Sequence, residues 1–192
     1  MNALHAHAAH FDALYEASDD PWDYARSRAE ALKRRAIGQA LGPGRGGTGL
    51  ELGCGPGIST LDLSPRFARL VAVDGSARAV GIARERTRRA RHVTVLDRQL
   101  PDGCPEGPFD AIIASEVLYY LPRPALTTTL AKVRSALAPG GRLVTANSTT
   151  PFSDRETSDA ELTERLMRAF GPPRSQRVGA GWRLLRFGGH RR

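Results

Sequence analysis

From Leu50 onward the chain alternates short apolar runs with stretches whose apolar residues recur at helical spacing. Leu70–Val73 is a buried strand ending in Asp74. His92–Leu96 is a third strand closed by Asp97, Phe109–Ser115 a fourth and Arg142–Ala146 a fifth. Between them, Ser76–Ala90 and Pro124–Leu137 carry helical spacing, the latter through Leu126, Leu130, Val133 and Leu137. The sequence Ala138-Pro139-Gly140-Gly141 stops that helix. A further helix is predicted over Asp159–Phe170, and Ser175–Phe187 reads as an antiparallel hairpin broken at Gly179 and Gly181. Strand alternating with helix argues for a mostly parallel sheet covered by helices on both faces.

The N-terminal part differs. His5, His7 and His10 precede Phe11, Leu14 and Tyr15 at helical spacing, and a frayed terminus is the expected state. The three histidines lack a carboxylate or cysteine at metal-ligand spacing, so no metal is expected. Asp20-Pro21 offers an N-cap and a first helical residue for a helix reaching about Leu41. Gly42-Pro43-Gly44-Arg45-Gly46-Gly47 then separates a helical arm (1–41) from a sheet core (49–192), within one domain.

The stretch Gly49–Gly57 organises the rest: a short strand ends in alternating glycines, Gly53, Gly55 and Gly57, before a helix start at Ile58. Such a loop reaches backbone angles that side chains oppose and lets a nucleotide-like ligand approach closely. Its spacing is not the dinucleotide G-x-G-x-x-G. The next strand ends in Asp74, a carboxylate able to accept hydrogen bonds from a ribose diol. Gly75-Ser76 after it equally suits a helix cap. Asp97 offers an acceptor for an adenine amino group, or serves as a turn carboxylate. Cys54 fits as a small buried residue inside the loop.

Composition bounds these readings without changing them. The 192 residues are 41% apolar and 25% charged, and two cysteines are too few for a disulfide framework. No apolar run approaches the length of a membrane span, and no secretory signal pattern is present, so a cytoplasmic protein is expected. Net charge is +8, almost all from arginine, Lys33 and Lys132 being the only lysines. The cluster Arg84, Arg86, Arg88, Arg89 and Arg91 lacks interleaved aromatic residues. It reads as a solvated helix face rather than a nucleic-acid surface.

The spacing E-x-G-x-G-x-G from Glu51 resembles the first motif of class I S-adenosylmethionine-dependent methyltransferases. Val71–Asp74, Leu96-Asp97, Phe109–Ile113 and Leu137–Gly141 resemble their later motifs. Asp20-Pro21-Trp22-Asp23-Tyr24, continuing to Ser27, Glu30 and Lys33, is similar to the N-terminal signature of the nodulation protein S family of N-methyltransferases. Ser115–Leu121 resembles that family's stretch after the fourth strand. The resemblance implies a seven-stranded class I methyltransferase fold and bound S-adenosylmethionine without a metal. It also implies a small amine-bearing acceptor, here expected to meet a monomer or homodimer. The implied cofactor residues are Trp22, Tyr24, Glu51, Gly53, Cys54, Gly55, Gly57, Asp74, Gly75, Asp97 and Ser115. Glu116, Tyr119 and Tyr120 are the expected catalytic residues, with Glu116 holding or deprotonating an acceptor ammonium and one tyrosine facing the acceptor. The chain departs from the family at Ala29, where an aromatic residue is usual. It departs again at Asn147-Ser148-Thr149, where His and Trp are frequent, and Pro65 shortens the helix behind the loop. Alternatives are an O-methyltransferase, an RNA or protein methyltransferase, and a non-catalytic cofactor-binding subunit. An Asn/Asp-Pro-Pro-aromatic motif for planar amino groups is missing.

Overall fold

Strands that bury both faces appear in the sequence as unbroken apolar runs, and here they assemble one central sheet. The computed structural model describes residues 3–44 and 46–188, with side chains from Ala8 onward. Helices α1 (Ala3–Ala17) and α2 (Arg28–Ala40) precede β1 (Thr48–Leu52) and α3 (Ile58–Leu63). Then come β2 (Arg69–Asp74), α4 (Ala77–Thr87), β3 (Val93–Asp97), β4 (Phe109–Ser115), α5 (Arg123–Ala136), β5 (Leu137–Ser148) and α6 (Asp159–Phe170). The chain ends in β6 (Ser175–Gly179) and β7 (Trp182–Gly188). The strand order is β3-β2-β1-β4-β5-β7-β6, with β1 to β5 parallel and β7 antiparallel to both neighbours.

Alternation along the strands sorts side chains between two layers. Leu50, Leu52, Val71, Ile112 and Leu143 face α5 and α6, where Leu126, Leu130, Val133, Leu162 and Leu166 close one core. Ala111, Ile113, Val144 and Ala146 face the other way, against Ala36 and Ile37 of α2 and the Leu41 that caps it. Val80 and Ala83 of α4 cover Ala72 and Val95. The order reverses between β1 and β4, so a crevice opens past their carboxyl ends. In open α/β sheets that is where ligands bind.

Three expectations about the elements need correction. Residues 3–17 form a helix rather than a frayed end, because α1 is anchored on α4: Asp12 Oδ1 accepts from Ser76 Oγ (2.6 Å) and from the Arg78 amide (3.1 Å). His5 and His7 have side chains outside the described set, while His10 pairs with Asp154 at 3.4 Å. No helix starts at Asp20-Pro21. Both Asp20 carboxylate oxygens instead close a turn by accepting the amides of Tyr24 and Ala25 at 2.8 Å, and Asp23 within it has φ 55°. The helix begins at Arg28, where Ser27 Oγ accepts the Glu30 amide. Within the expected single domain α2 packs on the sheet, Ala36 and Ile37 being buried against β5 and β7. Strand β5 also starts earlier than expected: Leu137 pairs with Phe109 before an irregularity, and regular pairing resumes at Ala111–Arg142.

Candidate active site

The glycine loop leaves β1 and bends at once, Gly53, Gly55 and Gly57 having φ of 66°, 50° and 77°. Side chains oppose such angles, and here space is also short. A Cβ on Gly53 would press into Val117, and one on Gly57 would lie 2.9 Å from the Ala83 Cα. Gly57 takes the N-cap position of α3. The Cys54 amide donates to the Val73 carbonyl at 3.0 Å, tying the loop to β2. Arg86 of α4 donates to the Pro56 carbonyl, so a member of the arginine cluster braces the loop from behind. Arg84 likewise bonds the Val95 carbonyl and Arg88 pairs with Glu85.

At the end of β2, Asp74 accepts from the amides of Gly55 (2.8 Å) and Ser76 (2.9 Å). Burial raises its pKa, while those amide hydrogen bonds pull it down. The neighbouring α4 is capped by Ser76, whose Oγ accepts the Ala79 amide. The Gly75 amide also bonds this carboxylate, whose two oxygens have about four lone-pair sites in all and so keep room for a further donor. Glu51 is buried beneath the loop and accepts from Thr60 Oγ1 at 2.6 Å. Its pKa rises to about 7, chiefly through burial, with the Thr60 bond acting against it. Burial also pushes the Cys54 thiol well up, so it stays protonated at neutral pH.

A single cavity runs from this loop to the end of β4. Of the residues predicted from sequence, Trp22, Tyr24, Glu51, Gly53, Cys54, Gly55, Asp74, Gly75, Ser115, Glu116 and Tyr120 line it. Three do not. Gly57 is turned into the α3–α4 contact, and Asp97, the last residue of β3, is exposed, with Arg98 and Gln99 at the wall instead. Tyr119 is 3% exposed and packs inward. The roof is aromatic. Phe11 and Tyr15 of α1 meet Trp22 with ring centres 6.0 and 5.6 Å apart, Trp22 stacks on Tyr24 at 5.7 Å, and Phe11 meets Tyr120 at 5.0 Å. Arg34 holds this roof in place, donating to the Tyr24 carbonyl and to Asp62, each at 2.7 Å. Burial raises the tyrosine pKa values, that of Tyr120 to about 12, so all four hydroxyls are neutral.

The wall opposite the loop holds the arrangement that sequence reasoning missed. Lys33 of α2, 3% exposed, reaches Glu30 Oε1 at 2.7 Å and pairs with Glu116 Oε1, a contact spanning two distant parts of the chain. Glu116 Oε2 accepts from Tyr119 Oη at 2.5 Å and from the Ser148 amide at 2.9 Å. The Glu116 backbone has φ 55°, a conformation that costs a side-chain-bearing residue roughly 1–2 kcal/mol. Three partners on two oxygens hold it there. The available signal was composition: Lys33 is one of two lysines in a chain that otherwise uses arginine.

A glycine loop at a β1–β4 crevice, an acid ending β2 and the order 3-2-1-4-5-7-6 define a class I S-adenosylmethionine-dependent methyltransferase. Comparison with known proteins agrees. Residues 50–141 match the family model described as a methyltransferase domain. Nodulation protein S of Rhizobium tropici is 31% identical over 163 residues, covering 79% of this chain and 67% of that protein. The same-named protein of Sinorhizobium fredii is 32% identical over 133 residues, covering 67% and 60%. The chain therefore spans about 60% to 67% of the length of these relatives. The crystal structure of the N-methyltransferase NodS from Bradyrhizobium japonicum WM9, in complex with S-adenosylhomocysteine, superposes with a TM-score of 0.82. It is 26% identical, with 95% of this chain and 97% of that one covered. The chain belongs to this methyltransferase family, as a relative of nodulation protein S.

The family's cofactor is S-adenosylmethionine, and the residues present fit it. The loop offers a cradle that any Cβ on Gly55 would obstruct, 2.8 Å from Tyr15 Oη, and Asp74 retains acceptor capacity toward the cavity. Among the described residues no cluster of three His, Cys, Asp or Glu is placed to hold a metal. No helix there is long and apolar enough to cross a membrane.

Proposed function

We propose that this chain transfers a methyl group to the amine nitrogen of a small-molecule acceptor. The observation that carries this reading is the cavity itself. Its far wall, beyond the glycine loop, pairs the carboxylates Glu30 and Glu116 with the rings of Trp22, Tyr24 and Tyr120. Carboxylates and π-faces both favour a cationic nitrogen over a neutral hydroxyl. The N-methyltransferase named in the superposed structure supports the same target atom.

S-adenosylmethionine, when bound, would supply an electrophilic methyl carbon, the sulfonium sulfur leaving with the C–S electron pair as the nucleophile attacks in line. The protein's residues divide the remaining work. Asp74 would accept from the ribose hydroxyls, and the backbone of Gly53–Gly57 would cradle the rest of the nucleoside. The Phe11–Tyr15–Trp22–Tyr24 roof excludes water, and its rigidity fixes the approach of the acceptor. Tyr120 presents its ring to the acceptor, with Tyr119 and Glu116 packed behind it as support.

A labelled-methyl assay across amines, amino sugars, phenols and RNA tests the proposal. Transfer to amines is expected. Label incorporated only into hydroxyl acceptors or into RNA would overturn it.

A further inference from the structure

We infer that Glu30, rather than Glu116, is the carboxylate that anchors the acceptor, and that the acceptor binds as a protonated primary or secondary amine, which passes one proton to solvent at the part-exposed Glu30 side chain before its freed nitrogen lone pair attacks the methyl carbon. This rests on the proposed amine specificity and names the residue that creates it. Glu116 has the sequence position of a substrate-binding acid, but both its oxygens are committed. Oε1 faces the Lys33 ammonium, and Oε2 takes the Tyr119 hydroxyl and the Ser148 amide. Its side chain is 11% exposed and its backbone is fixed at positive φ. Glu116 ties α2, β4 and β5 together.

Glu30 differs on each point. It projects from the first turn of α2 into the same cavity with 22% of its side chain exposed. Its Oε1 accepts from Lys33, and among the described residues Oε2 has no hydrogen-bond partner. Lys33 thus neutralises one of two carboxylates and leaves the wall with one negative charge beside the stacked Trp22 and Tyr24 rings. An ammonium group bonded to Glu30 Oε2 would share the cavity with the Trp22 and Tyr24 rings, so that a charged hydrogen bond and the π-faces both favour the cation. Lys33, 4% exposed in its side chain, is the positioning residue: one ammonium sets the angle of both acids.

The test compares matched pairs, benzylamine with benzyl alcohol and glucosamine with glucose. Methyl transfer is measured, along with binding to the S-adenosylhomocysteine complex by saturation-transfer NMR. The wild type should favour the amine of a pair at least tenfold. Glu30→Gln should erase that preference through KM and leave calorimetric affinity for S-adenosylhomocysteine within threefold. Glu116→Gln should lower Tm and keep the preference. Where Glu116→Gln does not fold, the part-exposed Glu30→Gln decides alone. Preference for amines that survives Glu30→Gln overturns this assignment and leaves the amine reading standing. Preference of the wild type for alcohols overturns the amine reading itself. A tenfold loss of S-adenosylhomocysteine affinity in Glu30→Gln would assign Glu30 to the cofactor instead. Failure of every amine to bind the wild type likewise counts against it.

Discussion

The two ends of the cavity are built from different materials. At the β1–β2 end the surface is shaped by backbone: the positive-φ glycines Gly53 and Gly55, amides aimed at Asp74, and strand ends fixed by the sheet. At the β4 end it is side chains, drawn from α1, the 20–27 turn, α2 and the segment after β4, and held by one buried lysine and one arginine. A backbone site tolerates little change, because each glycine angle and each amide is part of the scaffold. A side-chain site can be re-cut one residue at a time without disturbing the sheet. In the proposed reading, the shared cofactor occupies one end and the chain's own choice of acceptor is made at the other.

Breaking the side-chain end should show the largest effect. Lys33→Met leaves Glu116 buried without its counter-charge and should cost about 3–5 kcal/mol of stability, read by chemical denaturation. A loss below about 1 kcal/mol would mean that Glu116 does not depend on Lys33.

The backbone end should respond to pH through Glu51. Its pKa rises from the ordinary 4.5 to about 7 on folding. Between those values the folded chain holds more protons than the unfolded one, so stability falls as pH increases through that window. The total should be about 3 kcal/mol and constant above it. Glu51→Gln keeps an acceptor for Thr60 and should flatten this dependence, as denaturation at pH 5 and pH 8 would reveal. An unchanged slope would remove Glu51 as its source.

Asp74→Ala sharpens the contrast at the cofactor end. It should weaken S-adenosylhomocysteine binding by roughly 1.5–3 kcal/mol per lost charged hydrogen bond. Calorimetry equal to wild type would show that the ribose lies elsewhere. The smallest expected effect is Asp20→Ala, which removes the two amide bonds closing the aromatic turn. It should cost about 1 kcal/mol, as a lost helix cap does, and raise KM for the acceptor more than it weakens the cofactor. Equal effects on both ligands would contradict separate roles for the two ends.

The backbone end was also the legible one. Glycine spacing, an apolar run closing in Asp74, and alternating strand and helix are local patterns, and each was found at its expected place in the sheet. The side-chain end depends on contacts between residues far apart in sequence. Nothing near Lys33 announces Glu116, and Asp20-Pro21 has the residues of a helix start, yet the Asp20 side chain bends the chain into a turn. Asp97 was placed at the cavity because it ends a strand beside Asp74, but the chain turns there and Arg98 and Gln99 reach the wall instead. The N-terminal helix showed helical spacing at Phe11, Leu14 and Tyr15, but a frayed end was expected because the contacts that hold it, Asp12 on α4 and Phe11 and Tyr15 on Trp22, join residues far apart or across a turn.

The most direct measurement is a crystal structure with S-adenosylhomocysteine bound. The account predicts the nucleoside against residues 53–57, both ribose hydroxyls within hydrogen-bond reach of Asp74, and the sulfur facing the wall of Glu30, Glu116 and Tyr120. A ligand seated elsewhere, or an Asp74 side chain turned from the ribose, would contradict it.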